Sequence, residues 1–125
     1  MKIAVIGSRS IMLTEKELSV YIPQGTSEIV TGGAKGVDSI AKSYALSQGI
    51  KLTEFLPEYH KYKKVAPLKR NIKIVEYADA VVAIWDGVSK GTKFVIDTCR
   101  RINKPLMLYT VDIQKQKCKF IEEKY

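Results

Sequence analysis

The 125-residue chain is poor in the residues that usually announce a disulfide scaffold, a metal centre or a catalytic triad. It has two cysteines, Cys99 and Cys118, one histidine, His60, and one tryptophan, Trp85. Two cysteines without metal-ligand spacing are too few for a disulfide framework, so stability must come from a hydrophobic core. His60 has no serine or cysteine in a defined relation to it, and a nucleophile–base pair has no support. Between Tyr59, Lys61 and Tyr62 it reads as a surface residue. The longest apolar run, residues 80–85, falls far short of the roughly 20 residues that cross a bilayer. Met1 leads straight into a strand-like run with no signal-peptide layout, so a cytoplasmic, reduced setting without membrane contact is expected. Internal repeats, linkers and low-complexity segments are also lacking.

What is present is a core and an uneven charge. Hydrophobic residues make up 46% and charged residues 27%, the balance of a soluble globular domain. A chain of this length forms one domain that buries roughly two-thirds of its unfolded surface. Residues 1–60 carry six basic and six acidic side chains, whereas residues 61–125 carry fifteen basic against seven acidic. Lys61, Lys63, Lys64, Lys69, Arg70 and Lys73 fall in one stretch without an acid. Such asymmetry points to an anionic partner, although the lysines after residue 113 read better as a solvated surface.

Five apolar runs, at 3–6, 28–31, 51–56, 80–85 and 106–109, lack polar alternation, as strands do when helices cover both faces of a parallel sheet. Helical patterns separate them. Thr14-Glu15-Lys16-Glu17 is a capping box followed by Leu18, Tyr21 and Ile22. Val37, Ile40, Ala41, Tyr44 and Ala45 form an apolar stripe that stops at Gly49. Leu68, Ile72 and Val75 follow Pro67, and Val95, Thr98, Cys99 and Ile102 precede Lys104-Pro105. The alternation predicts a single doubly wound α/β domain over residues 1–112, with a five-stranded parallel sheet. Right-handed crossovers favour the order 3-2-1-4-5, with the first and fourth strands adjacent at a topological switch point. Residues 113–125 are expected to form a basic tail or a short helix.

Three glycine-containing loops map to the carboxyl ends of these strands: Gly7-Ser8-Arg9-Ser10, then Thr31-Gly32-Gly33-Ala34-Lys35-Gly36-Val37-Asp38, then Asp86-Gly87-Val88-Ser89-Lys90-Gly91-Thr92. Glycine lets backbone amides approach a ligand, and a helix N-terminus favours an anion. Each loop alone could serve only a turn or a cap, but their convergence favours ligand binding. Neither the phosphate-binding GxxxxGK[ST] pattern nor GxGxxG is present, because Gly32, Gly33 and Gly36 fall as GGxxG.

The segments IAVIGSR and TGGAKGVDSIAKSYA resemble the SLOG superfamily of Rossmann-like domains, which includes DprA and the LOG phosphoribohydrolases. LKRNIKIVEYADAVVAIWDGVSKGT resembles its small YpsA-related members, and the likeness spans residues 2 to about 109. It implies a nucleotide or nucleotide-derived ligand in the crevice, with no cofactor identified. Carried over by position, Gly7, Ser8 and Arg9 line one wall, and Gly32, Gly33, Gly36 and Asp38 form the second loop. Arg70 and Asn71 approach from the third helical segment, while Ser89, Gly91 and Thr92 cradle a phosphate beside Asp86. Arg9 and Arg70 suit phosphate, and Asp38 suits a ribose hydroxyl or a loop donor. The likeness also implies association, with a homodimer expected.

LOG enzymes carry PGGxGTxxE, whose glutamate serves glycosidic cleavage. Here Val95 stands three residues after Thr92, no PGG precedes Gly91, and Asp97 lies about 140° further round a helix. Asp38 or Asp86 would have to act instead, and catalysis is less favoured than binding. The DprA likeness raises single-stranded nucleic acid as an alternative partner, since Tyr59, His60, Lys61, Tyr62, Lys63 and Lys64 interleave rings and cations.

Overall fold

The computed structural model describes residues 1–112 and 117–124, with side chains through residue 111. Five parallel strands, β1 (Lys2–Gly7), β2 (Glu28–Thr31), β3 (Lys51–Glu54), β4 (Ala80–Trp85) and β5 (Leu106–Asp112), lie in the order β3-β2-β1-β4-β5. The expected crossover is therefore present: β1 pairs with β4 from Ile3↔Ala80 to Gly7↔Ile84.

Alternation along each strand sends successive side chains to opposite faces. Ile3, Val5, Ile29, Val82 and Ile84 pack with Leu18 of α1 (Glu15–Ser19) and with Val37, Ala41 and Ala45 of α2 (Val37–Ser47). Ala4, Ile6, Val30, Val81 and Ala83 pack on the other face with Ile74 and Val75 of α4 (Ala66–Tyr77) and with Val95, Ile96 and Cys99 of α5 (Lys90–Ile102). Both faces are dry, which is why the strands read as unbroken apolar runs.

The capping box is formed in both directions, Thr14 and Glu17 each donating a backbone amide to the other's side chain at 3.1 Å. Even so, α1 ends at Ser19. Tyr21 and Ile22 reach the core from the turn that follows, not from a helical face. The basic stretch after β3 holds two elements that periodicity did not predict, α3 (Tyr59–Tyr62) and a 3₁₀ turn (Lys63–Val65). β3 is two residues shorter than expected at its carboxyl end, because the chain leaves the sheet before Pro57 and Phe55 turns to pack on Tyr77 at 5.4 Å.

The expected tail or short helix is corrected over Lys117–Lys124. These residues form β6, a sixth strand antiparallel to β5. An uncovered β5 would present unpaired amides and carbonyls along its whole edge, and an added strand satisfies them. The same pairing carries β5 to Asp112, beyond the apolar run that marked it in the sequence.

Candidate functional site

The loops after β1 and β4 meet at the switch point. The Ser8 and Ser89 hydroxyls lie 2.8 Å apart, and the Asp86 amide donates to Ser8 Oγ at 3.1 Å. Asp86 Oδ1 accepts from the amides of Val88 and Ser89 at 2.9 and 2.8 Å, and its Oδ2 accepts from Ser10 Oγ at 2.8 Å. Burial alone would raise the Asp86 carboxyl, but those amides and the serine hydroxyls outweigh it and hold its pKa below the ordinary value. Asp86 thus braces two loops that are distant in sequence.

That brace predicts a pH effect. A carboxylate whose pKa is lowered by folding contributes stability above its unfolded value and loses it as pH falls through the lower folded one. The melting temperature of Asp86→Ala should lie below that of the wild type at pH 7, and the gap should shrink toward pH 3. A gap that is constant with pH would leave only a packing effect.

Ser89 stands at the N-cap of α5, yet its side chain makes no capping bond because it is engaged with Ser8. Helix geometry leaves the first-turn amides, including those of Lys90 and Gly91, without partners inside the helix. A Cβ added at Gly91 would meet no atom within 4 Å. The loop opens directly onto free space.

That space is a cavity of about 420 Å³. Of the residues expected at the site, Gly7, Ser8, Arg9, Asp38, Arg70, Asn71, Asp86, Ser89, Gly91 and Thr92 line it. Gly32, Gly33 and Gly36 do not. A Cβ at Gly36 would fall 2.7 Å from the Ser8 carbonyl oxygen and 2.8 Å from Arg9 Cα, so this glycine lets two loops touch. Gly32 packs under Arg70, and Gly33 turns toward Leu56 and Glu54. Ser10 and Ala34, from two of the loops mapped to this edge, complete the wall with Ile6, Pro67 and Leu68, which were not expected there. Pro67 and Leu68 stand three and two residues before Arg70, so their place at the start of α4 was the available signal.

Gly7 joins β1 to the site at close quarters. A Cβ there would lie 2.4 Å from Val37 Cβ and 2.8 Å from the Ile84 carbonyl oxygen. Gly7→Ala should therefore destabilise the domain by about 1–3 kcal/mol through overpacking, measurable by urea unfolding. An unchanged midpoint would mean that α2 shifts freely.

Asp38 is 4% exposed, and its Oδ2 accepts from the Gly32 amide at 3.1 Å. Burial pushes its carboxyl up, against the pull of the Gly32, Ala34 and Gly7 amides and of Arg70. Arg70 is half-buried, and its Nη1 donates to the Gly32 carbonyl. Burial lowers its pKa, with Asp38 opposing and Arg9 reinforcing the shift.

His60 is exposed on α3. Nearby, the Lys61, Lys69 and Lys73 amines stand 5.1, 5.9 and 5.8 Å from the centre of the Tyr62 ring. Lys73 also pairs with Glu58 at 2.9 Å, whereas Lys61, Lys63, Lys64 and Lys69 form no ion pair among the described residues. Among the same residues no group of His, Cys, Asp and Glu could hold a metal, and no helix is long and apolar enough to cross a membrane.

Five parallel strands, doubly wound, with a cavity at their switch point define a Rossmann-like domain. The family described as YAcAr (YspA, cpYpsA-related SLOG family) matches residues 1–62, from β1 through α3. The chain belongs to the SLOG superfamily, on its YpsA-related side. No curated protein and no solved structure matches it.

Proposed function

We propose that the chain is a cytoplasmic, sensor-type protein that binds a small nucleotide or nucleotide derivative between β1 and β4. The ligand's phosphate sits at the N-terminus of α5 among Ser89, Gly91 and Thr92, with Arg9 across the cavity. The observation that carries this reading is Gly91, which leaves open space beside the first-turn amides of a 13-residue helix. A volume of about 420 Å³ lies in the range of small-ligand sites. Membership of the SLOG superfamily supports nucleotide-related chemistry in general terms. Binding is favoured over phosphoribosyl cleavage, because Val95 stands where the glutamate of the LOG motif would be and Asp86 is engaged by loop donors.

The test is a thermal-shift panel of AMP, ADP, NAD, ADP-ribose, cyclic nucleotides and an oligonucleotide. A ligand at a hundred times its Kd should add about 2.7 kcal/mol of stability. A panel in which no nucleotide raises the melting temperature would overturn the proposal. A second reading, single-stranded nucleic acid, is favoured by one observation, the lysine cluster around Tyr62 beside exposed Tyr59.

A further inference from the structure

The buried residues of α4 are Ala66, Asn71, Ile74 and Val75, and Asn71 alone among them is polar. Residues three and four apart share a helix face, so Asn71 continues the face of Ile74 and Val75 toward Pro67 and Leu68. Ile74 and Val75 enter the core, whereas Pro67, Leu68 and Asn71 line the cavity. The inward face of α4 thus passes from core to cavity at Asn71.

Asn71 is 7% exposed, and among the described residues no hydrogen bond engages its side chain. Its polar neighbours differ. Ser8, Ser10, Asp86 and Ser89 bond to one another, and Asp38 and Arg70 hold the Gly32 peptide. Nor is the Asn71 amide sealed, since the buried atoms without access or partner belong to Thr31, Asp38 and Arg70. The amide therefore meets the cavity.

A buried amide without a partner costs stability, and a leucine would continue the face of Ile74 and Val75 without that cost. A bound group recovers it by offering an acceptor and a donor side by side, because the asparagine side chain donates through Nδ2 and accepts through Oδ1 in one plane. Phosphate only accepts. A nucleobase edge presents both together, as adenine does to asparagine in protein–DNA contacts. The face of a base also suits Pro67 and Leu68, one turn earlier on the same helix, whereas sugar hydroxyls do not. We infer that Asn71 reads the ligand's base, pairing its amide with the base edge while the base lies against Pro67 and Leu68. This rests on the nucleotide reading of the same cavity and names the part of the ligand that α4 recognises.

The test uses the intact protein and calorimetric titration with AMP, GMP, CMP, UMP and ribose 5-phosphate, the last measured by displacement of the best nucleotide. In Asn71→Leu the best nucleotide should bind about tenfold or more weakly, the loss of two neutral hydrogen bonds. Ribose 5-phosphate has no base, and its affinity should stay within about twofold. Without ligand, the melting temperature of Asn71→Leu should equal or exceed that of the wild type, because an unpaired buried amide has been removed. Asn71→Ala should give the same binding pattern if the leucine is too large to fold in. Equal losses for nucleotide and ribose 5-phosphate would put Asn71 on the sugar or phosphate and overturn the inference. So would unchanged nucleotide affinity, or a melting temperature lowered by many degrees in both variants, which would mark an internal structural role. In each of those cases the phosphate site stands as long as Gly91→Val still abolishes nucleotide binding. If no nucleotide binds the wild type, both readings fall together.

Discussion

Gly91→Val is expected to abolish nucleotide binding and leave the domain folded. The substitution has room, because nothing lies within 4 Å of the added Cβ, so packing is not disturbed. Valine also costs less than glycine in a helix by a few tenths of a kcal/mol. The new methyl groups, however, stand over the α5 N-terminus, where a phosphate must come within hydrogen-bond reach of backbone amides. The melting temperature without ligand should stay within a few degrees of the wild type, while affinity falls by about a hundredfold or more, the loss of roughly two charge-assisted hydrogen bonds. Trp85 offers a readout, since its Nε1 donates to the Ser89 carbonyl at 3.0 Å and its fluorescence reports on the loop. Unchanged affinity in a folded variant would remove the anion site from the proposal.

Arg70→Ala is expected to weaken nucleotide binding by about tenfold or more, whereas replacing Lys61, Lys63 and Lys64 together with Ala should barely change it. Arg70 lies on the cavity wall, half-buried, with its charge poorly screened by solvent. The three lysines are exposed. Their contribution to a ligand seated in the cavity is long-range and falls with salt over a Debye length of about 8–10 Å. An oligonucleotide running along α3 and the start of α4 would behave in the opposite way. Each phosphate neutralised lowers log affinity by about 0.7 per tenfold rise in salt. Titrations of both variants with AMP and with an oligonucleotide at two salt concentrations separate the cases. Tight, length-dependent oligonucleotide binding that collapses in the triple-lysine variant would make the lysine face, not the cavity, the functional surface. Because Arg70 also props the Gly32 carbonyl, its variant should lose about 1 kcal/mol of stability as well, which urea unfolding measures separately.

The topology was legible for a plain physical reason. Strands buried on both faces must be apolar throughout, and helices between them must be apolar on one stripe. The residues 3–6 and 80–85 therefore marked β1 and β4, and right-handed crossovers left little choice but to make them neighbours. Asp38, Arg70 and Asn71 were carried to this edge by the family likeness, and all three line the cavity.

What each glycine is for was not legible. Gly32, Gly36 and Gly91 look alike as letters after a strand. Gly36 answers to the backbone of Ser8 and Arg9, Gly32 to the Arg70 guanidinium, and only Gly91 to open space. The same holds for the acids. Asp86 is engaged by Ser10, 76 positions away in sequence, while Asp38 takes the Gly32 amide from within its own loop. β6 escaped notice because an edge strand is defined by the amides it satisfies on β5, not by an apolar run of its own. By itself the sequence determined the five parallel strands, the main helices between them, the strand order and the edge at which chemistry gathers, since periodicity and chain handedness are local properties. Only the tertiary structure decided which loop residues brace one another and which face the cavity. Those assignments depend on contacts between segments tens of residues apart, at distances where a single methyl group decides between support and access.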